Sequence, residues 1–107
     1  MKLYKGILES LHEVNEDRSI KAFKFPLDDW SPMEWGCVIA GEAGELANFL
    51  KKMVRDGVDN KEDIAKEMAD VIIYLDLLSS LLNIDLPSAI RNKFNEVSDR
   101  KGVNIKL

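Results

Sequence analysis

The 107-residue sequence has one cysteine, Cys37, and one histidine, His12. A lone cysteine excludes an intramolecular disulfide, and a lone histidine excludes metal sites built from several imidazoles. Three prolines and six glycines are too few for a collagen-type repeat or a flexible linker. Long apolar runs are also missing. The most apolar stretch, Val71 to Leu82, covers 12 residues and contains Asp76, Ser79 and Ser80, whereas a bilayer span needs roughly 20 apolar residues. The opening segment mixes Lys2, Lys5, Glu9 and Glu13 among its apolar residues and so has no signal-peptide core. Positive charge is in deficit, with a net charge of −4, so no basic field exists to hold a nucleic-acid polymer. What remains, 46% hydrophobic and 32% charged residues, is the balance of a chain that buries a core. The expectation is a single domain over residues 1–107, in a reducing, cytoplasmic setting, with no membrane contact.

Helical periodicity dominates. Leu3, Ile7, Leu8, Leu11 and Val14 form a stripe that predicts a helix from Lys2 to Asn15. Periodicity lapses from Glu16 to Trp30, which reads as a connector carrying Phe23, Phe25 and Trp30. Ser31, Pro32 and Glu34 then spell a helix start: a hydroxyl N-cap, a proline at the first helical position and a carboxylate placed to close a capping box. This helix should run to Arg55, with Gly57 as its left-handed cap. Asp59 or Asn60 can cap a third helix, Lys61 to Leu82, and Leu86-Pro87 opens a fourth that ends near Arg100. The fold class is therefore all-α, a four-helix bundle. The third helix is apolar around its whole circumference in its second half, so a second subunit is expected to cover it, in a homodimer or homotetramer.

Four carboxylates stand where apolar residues should. Glu42 and Glu45 interrupt the stripe of Trp35, Val38, Ile39, Leu46, Phe49, Leu50 and Met53, and Glu67 and Asp70 interrupt that of the next helix. Each pair is spaced i, i+3, which stacks its members on one side of a helix. Most helical acids are simply solvated, and a single such pair would carry no argument. Two pairs facing each other across antiparallel helices need a counter-charge, and all-oxygen ligation selects a hard cation, Mg²⁺ or Mn²⁺. Gly41 and Gly44, which cost helix stability, are expected to mark close packing or ligand access. His12 is expected at the surface and Cys37 in the core.

The Ala40-Gly41-Glu42-Ala43-Gly44-Glu45-Leu46 segment, with 21 residues between Glu45 and a Glu67-x-x-Asp70 that runs into Val71-Ile72-Ile73-Tyr74, resembles the MazG-like, all-α nucleoside triphosphate pyrophosphohydrolase superfamily over about Trp30 to Arg100. The resemblance implies a Mg²⁺-dependent enzyme that cleaves a nucleoside triphosphate substrate between its α and β phosphates, with a role in nucleotide house-cleaning. It implies Glu42, Glu45, Glu67 and Asp70 as metal ligands, with Glu45 and Glu42 in catalysis and Glu45 orienting or deprotonating the attacking water. It also implies nucleotide contacts from Lys93 and Tyr74. Where relatives carry an asparagine four residues after that lysine, Val97 stands here, with Asn95 nearby. Arg100 lies on the same stripe as Lys93; Lys52 is within reach of phosphates, although a solvated lysine is the more ordinary reading; and Trp30 can stack on a base, although a core role serves it at least as well. Phosphoribosyl-ATP as substrate, or a non-catalytic helical oligomerisation module, are the alternatives. A di-iron bundle lacks its histidines, an EF-hand from Asp56 to Glu67 is broken by Val58 and Lys61, and no phosphate-binding P-loop is present.

Overall fold

The computed structural model describes residues 6–107 as four helices and one short turn of 3-10 helix, with no strand among the described residues. The helices are α1 (Ile7–Phe23), α2 (Pro32–Asp56), α3 (Lys61–Leu81) and α4 (Leu86–Arg100), and the 3-10 turn, Leu27–Asp29, precedes α2. The first residues of the expected opening helix, Lys2 and Leu3, lie outside the described residues.

The α2 start forms as its residues dictate. Ser31 Oγ accepts from the Glu34 N–H at 3.2 Å, and Glu34 Oε1 accepts from the Ser31 N–H at 3.1 Å, a complete capping box with proline at the first helical position. At the other end Gly57 takes φ +63° and donates its N–H to Met53 O, a conformation that costs a residue with a Cβ about 1–2 kcal/mol. The expected asparagine cap of α3 works differently. Asn60 occupies the N-cap but donates its Nδ2 to Phe49 O at 2.8 Å, tying the start of α3 to the body of α2.

The first helix departs from expectation. It continues through the supposed connector to Phe23, and its inward face is Leu8, Leu11, Asn15 and Ser19, while Ile7 and Val14 are exposed. Polar residues on the inner face disguise the period, since Asn15 and Ser19 are buried only because their side chains are hydrogen-bonded, Ser19 Oγ to Phe25 O and Asn15 to α3.

α2 and α3 form an antiparallel pair, α1 lies along α3, and α4 packs against α1. The core is aromatic: Trp35, 1% exposed, donates its indole N–H to Leu27 O at 2.9 Å and packs with Leu27 and Leu77, surrounded by Phe25, Trp30 and Tyr74. The radius of gyration is 16.6 Å, against about 13 Å for a closed domain of this length. The openness is visible in exposed apolar side chains on α3, Met68, Ile72 and Leu82, and on α4, Ile90 and Phe94. Cys37, expected in the core, is exposed. Gly41 and Gly44 are exposed too, and a Cβ on either would meet nothing within 4 Å among the described residues.

Candidate metal centre and aromatic cavity

Antiparallel pairing of α2 and α3 brings the interrupting acids together. Carboxylate oxygens of Glu42, Glu67 and Asp70 lie within 4.8 Å of one another, all three half-buried. Glu67 sits deepest: its Oε2 is buried without a hydrogen-bond partner. Desolvation, a hydrogen bond shared with Glu42 and the charges of Glu45, Glu42 and Asp70 push its carboxyl up to about 6. Glu45 stands outside the three-oxygen group, more exposed, but close enough for its charge to act on both Glu67 and Tyr74.

Tyr74 joins this centre to the aromatic core. Burial first, and then the charges of Glu42, Asp70 and Glu45, raise its hydroxyl pKa above the ordinary value. Its ring centroid is 6.4 Å from that of Trp35. Trp30 packs edge-on against Phe25 and Trp35, with centroids 4.5 and 4.8 Å apart. Between α1, Phe25 and Trp30 of the α1–α2 connection, the start of α2 and α3 lies a cavity of about 270 Å³, lined by Asn15, Arg18, Phe23, Trp30, Asp70 and Tyr74 among others. Asp70 and Tyr74 thus belong to the cavity wall as well as to the acidic centre.

The remaining sequence-derived residues fall elsewhere. Lys93 pairs with Glu96 at 3.5 Å and lines an apolar surface of α4. Asn95 is engaged with the C-terminal segment: its Oδ1 accepts from the Leu107 N–H at 2.8 Å, and its Nδ2 donates to Leu107 O. Arg100 is exposed in the last turn of α4. Lys52 rests its ammonium 5.8 Å from the Phe49 ring centroid. None of the four lines the aromatic cavity.

Sequence reasoning missed a buried polar network on the far side of that cavity. Asp76, 1% exposed, accepts from His12 Nδ1 and from Asn15 Nδ2, each at 3.0 Å. The signal was available in the run Leu8, Leu11, Asn15, Ser19, where two polar residues continue an apolar spacing. His12, expected at the surface, is half-exposed yet anchored to this carboxylate.

The fold thus sets a half-buried three-carboxylate cluster on two antiparallel helices beside an aromatic cavity, with Asp70 and Tyr74 common to both. The profile of the MazG nucleotide pyrophosphohydrolase domain matches residues 32–102, and the chain belongs to that family. It is also 37% identical over 68 residues to the Gene 37 protein of Mycobacterium phage L5, an alignment covering 59% of this chain and 60% of the phage protein. No solved structure matches. No helix among the described residues is long and apolar enough to cross a membrane.

Proposed function

We propose that the chain is a divalent-cation-dependent nucleoside triphosphate pyrophosphohydrolase, converting a ribo- or deoxyribonucleoside triphosphate and water to the monophosphate and pyrophosphate. The observation that carries this reading is the buried Glu67 Oε2, which has no hydrogen-bond partner, in a carboxylate clustered with those of Glu42 and Asp70. A buried carboxylate oxygen without a donor is costly, and a hard cation satisfies it. The all-oxygen donor set fits Mg²⁺, with Mn²⁺ as a substitute. Such an ion, when bound, offsets phosphate charge and lowers the pKa of water in its shell.

The protein groups then divide the work. Glu42, Glu67 and Asp70 hold the cation, with Glu45 as an outer ligand. Glu45, the most accessible of the four, orients the attacking water and takes its proton, with Glu42 beside it. The water oxygen bonds to the α-phosphorus, and the bond from that phosphorus to the bridging oxygen breaks, releasing pyrophosphate. The base enters the cavity against Trp30, and the Tyr74 hydroxyl stands between base and phosphates. This chemistry suits the removal of surplus or non-standard nucleotides in the cytoplasm.

A homodimer or homotetramer completes the site. The exposed apolar faces of α3 and α4 and the large radius of gyration favour subunit association. Lys93, Asn95, Arg100 and Lys52 would contact phosphates or sugar across that interface, because within one chain they lie outside the cavity. Hydrolysis in heavy-oxygen water tests the bond cleaved: the label should appear in the monophosphate, and label confined to pyrophosphate would refute attack at the α-phosphorus.

A further inference from the structure

Asn15 and Arg18 line the aromatic cavity and have no part in the chemistry above. Asn15 is 2% exposed, and its Nδ2 donates to Ile73 O and to Asp76 Oδ2, each at 3.0 Å. Turning the amide over would set its oxygen against a carbonyl and a carboxylate, so Asp76, itself held by His12, fixes the amide in one orientation. With both Nδ2 protons committed, Asn15 can offer a ligand only the acceptor Oδ1. Arg18 lies one turn further along α1 and lines the same cavity. It makes no ion pair or hydrogen bond among the described residues, and its guanidinium can only donate.

An acceptor beside a donor on one wall of an aromatic cavity is a hydrogen-bonding template. We propose that Asn15 and Arg18 determine base specificity, selecting a base that presents an exocyclic amine next to a ring-nitrogen acceptor, the amidine edge shared by cytosine and adenine. The amine donates to Asn15 Oδ1, and the ring nitrogen accepts from Arg18. Uracil and hypoxanthine present the reverse edge, a carbonyl beside a ring N–H, which sets oxygen against oxygen and N–H against N–H. Rejection of that kind exceeds what a purely apolar pocket achieves, because buried polar groups are left unpaired. The inference rests on the nucleotide reading of the site.

The test compares kcat/KM for dCTP against dUTP and for ATP against ITP, with Mg²⁺, in the unmodified protein and in Arg18→Met and Asn15→Ala. For whichever ring size is turned over, the amino substrate should be favoured about 10-fold or more. Arg18→Met, at an exposed position with no ion pair or hydrogen bond to lose among the described residues, should shrink that ratio several-fold, and folded Asn15→Ala should erase it. Equal or reversed rates in both pairs, or an unchanged ratio in Arg18→Met, would overturn the specificity assignment while leaving the nucleotide reading intact. If Asn15→Ala does not fold, the first two comparisons decide. Absence of turnover of all four nucleotides by folded, Mg²⁺-supplied protein would overturn both.

Discussion

Glu67 concentrates the electrostatic stress of the molecule in one side chain. Its carboxyl is raised from 4.5 to about 6 in the fold, so the folded chain binds its proton more tightly than the unfolded chain does. The sign follows: this group's contribution to stability is complete below about 4.5 and is lost as pH rises through about 6. In the presence of a chelator, melting temperature should therefore rise as pH falls from neutrality through that window, and Glu67→Gln should flatten the trend. Added Mg²⁺ should raise the melting temperature most at neutral pH, where the acids are ionised, and lose its effect below about 6 as protons compete. A Mg²⁺ effect independent of pH would argue against Glu67 as a ligand. Glu45→Gln keeps side-chain volume and removes the charge, so turnover should fall at least about 100-fold with the fold intact. Full activity in that variant would contradict the role given to Glu45. The acids were legible in the sequence because charge breaks an apolar stripe. Asn15 and Ser19 were not, because neutral polar residues on a stripe look like the end of a helix until a hydrogen-bond partner elsewhere in the chain is known.

At the scale of elements, the boundaries that sequence located best are those set by local chemistry. The Ser31–Glu34 box and Gly57 act within one turn of themselves, so no tertiary information is needed to place them. Removing the cap by Ser31→Ala should cost about 1 kcal/mol, measurable by denaturant titration without loss of metal binding. The course of α1 needed α3 as its partner, since half of the residues continuing it beyond Asn15 are charged. Cys37 was misjudged because the true inner face of α2 centres on Trp35, with Cys37 turned outward. Gly41 and Gly44 are a sharper case. A Cβ at either would meet nothing within 4 Å among the described residues, so Gly41→Ala should stabilise the isolated fold by roughly 0.5–1 kcal/mol. Lower turnover in the same stabilised variant would mark this face of α2 as the approach for substrate or a second subunit.

For the whole molecule, the proposed function assigns the aromatic cavity to a base and the acidic centre beside it to phosphates. The family and the all-α class were readable from two short acidic motifs and the helical periods around them. The relation of α4 to the site was not, because Lys93 and Arg100 on an apolar stripe do not say what that stripe faces or in which subunit. If subunits complete the site, sedimentation should give a dimer or tetramer, and Phe94→Glu on the exposed face of α4 should shift it toward monomer with loss of activity. A fully active monomer would contradict the shared site.

The central claim, cleavage of nucleotides at an acidic cation centre, is tested most directly by incubating the protein with a panel of ribo- and deoxyribonucleoside triphosphates, with and without Mg²⁺, and resolving pyrophosphate from orthophosphate. The account predicts monophosphate and pyrophosphate in equal amounts, only with the cation. Orthophosphate and diphosphate as products, or equal turnover in the presence of a chelator, would contradict it.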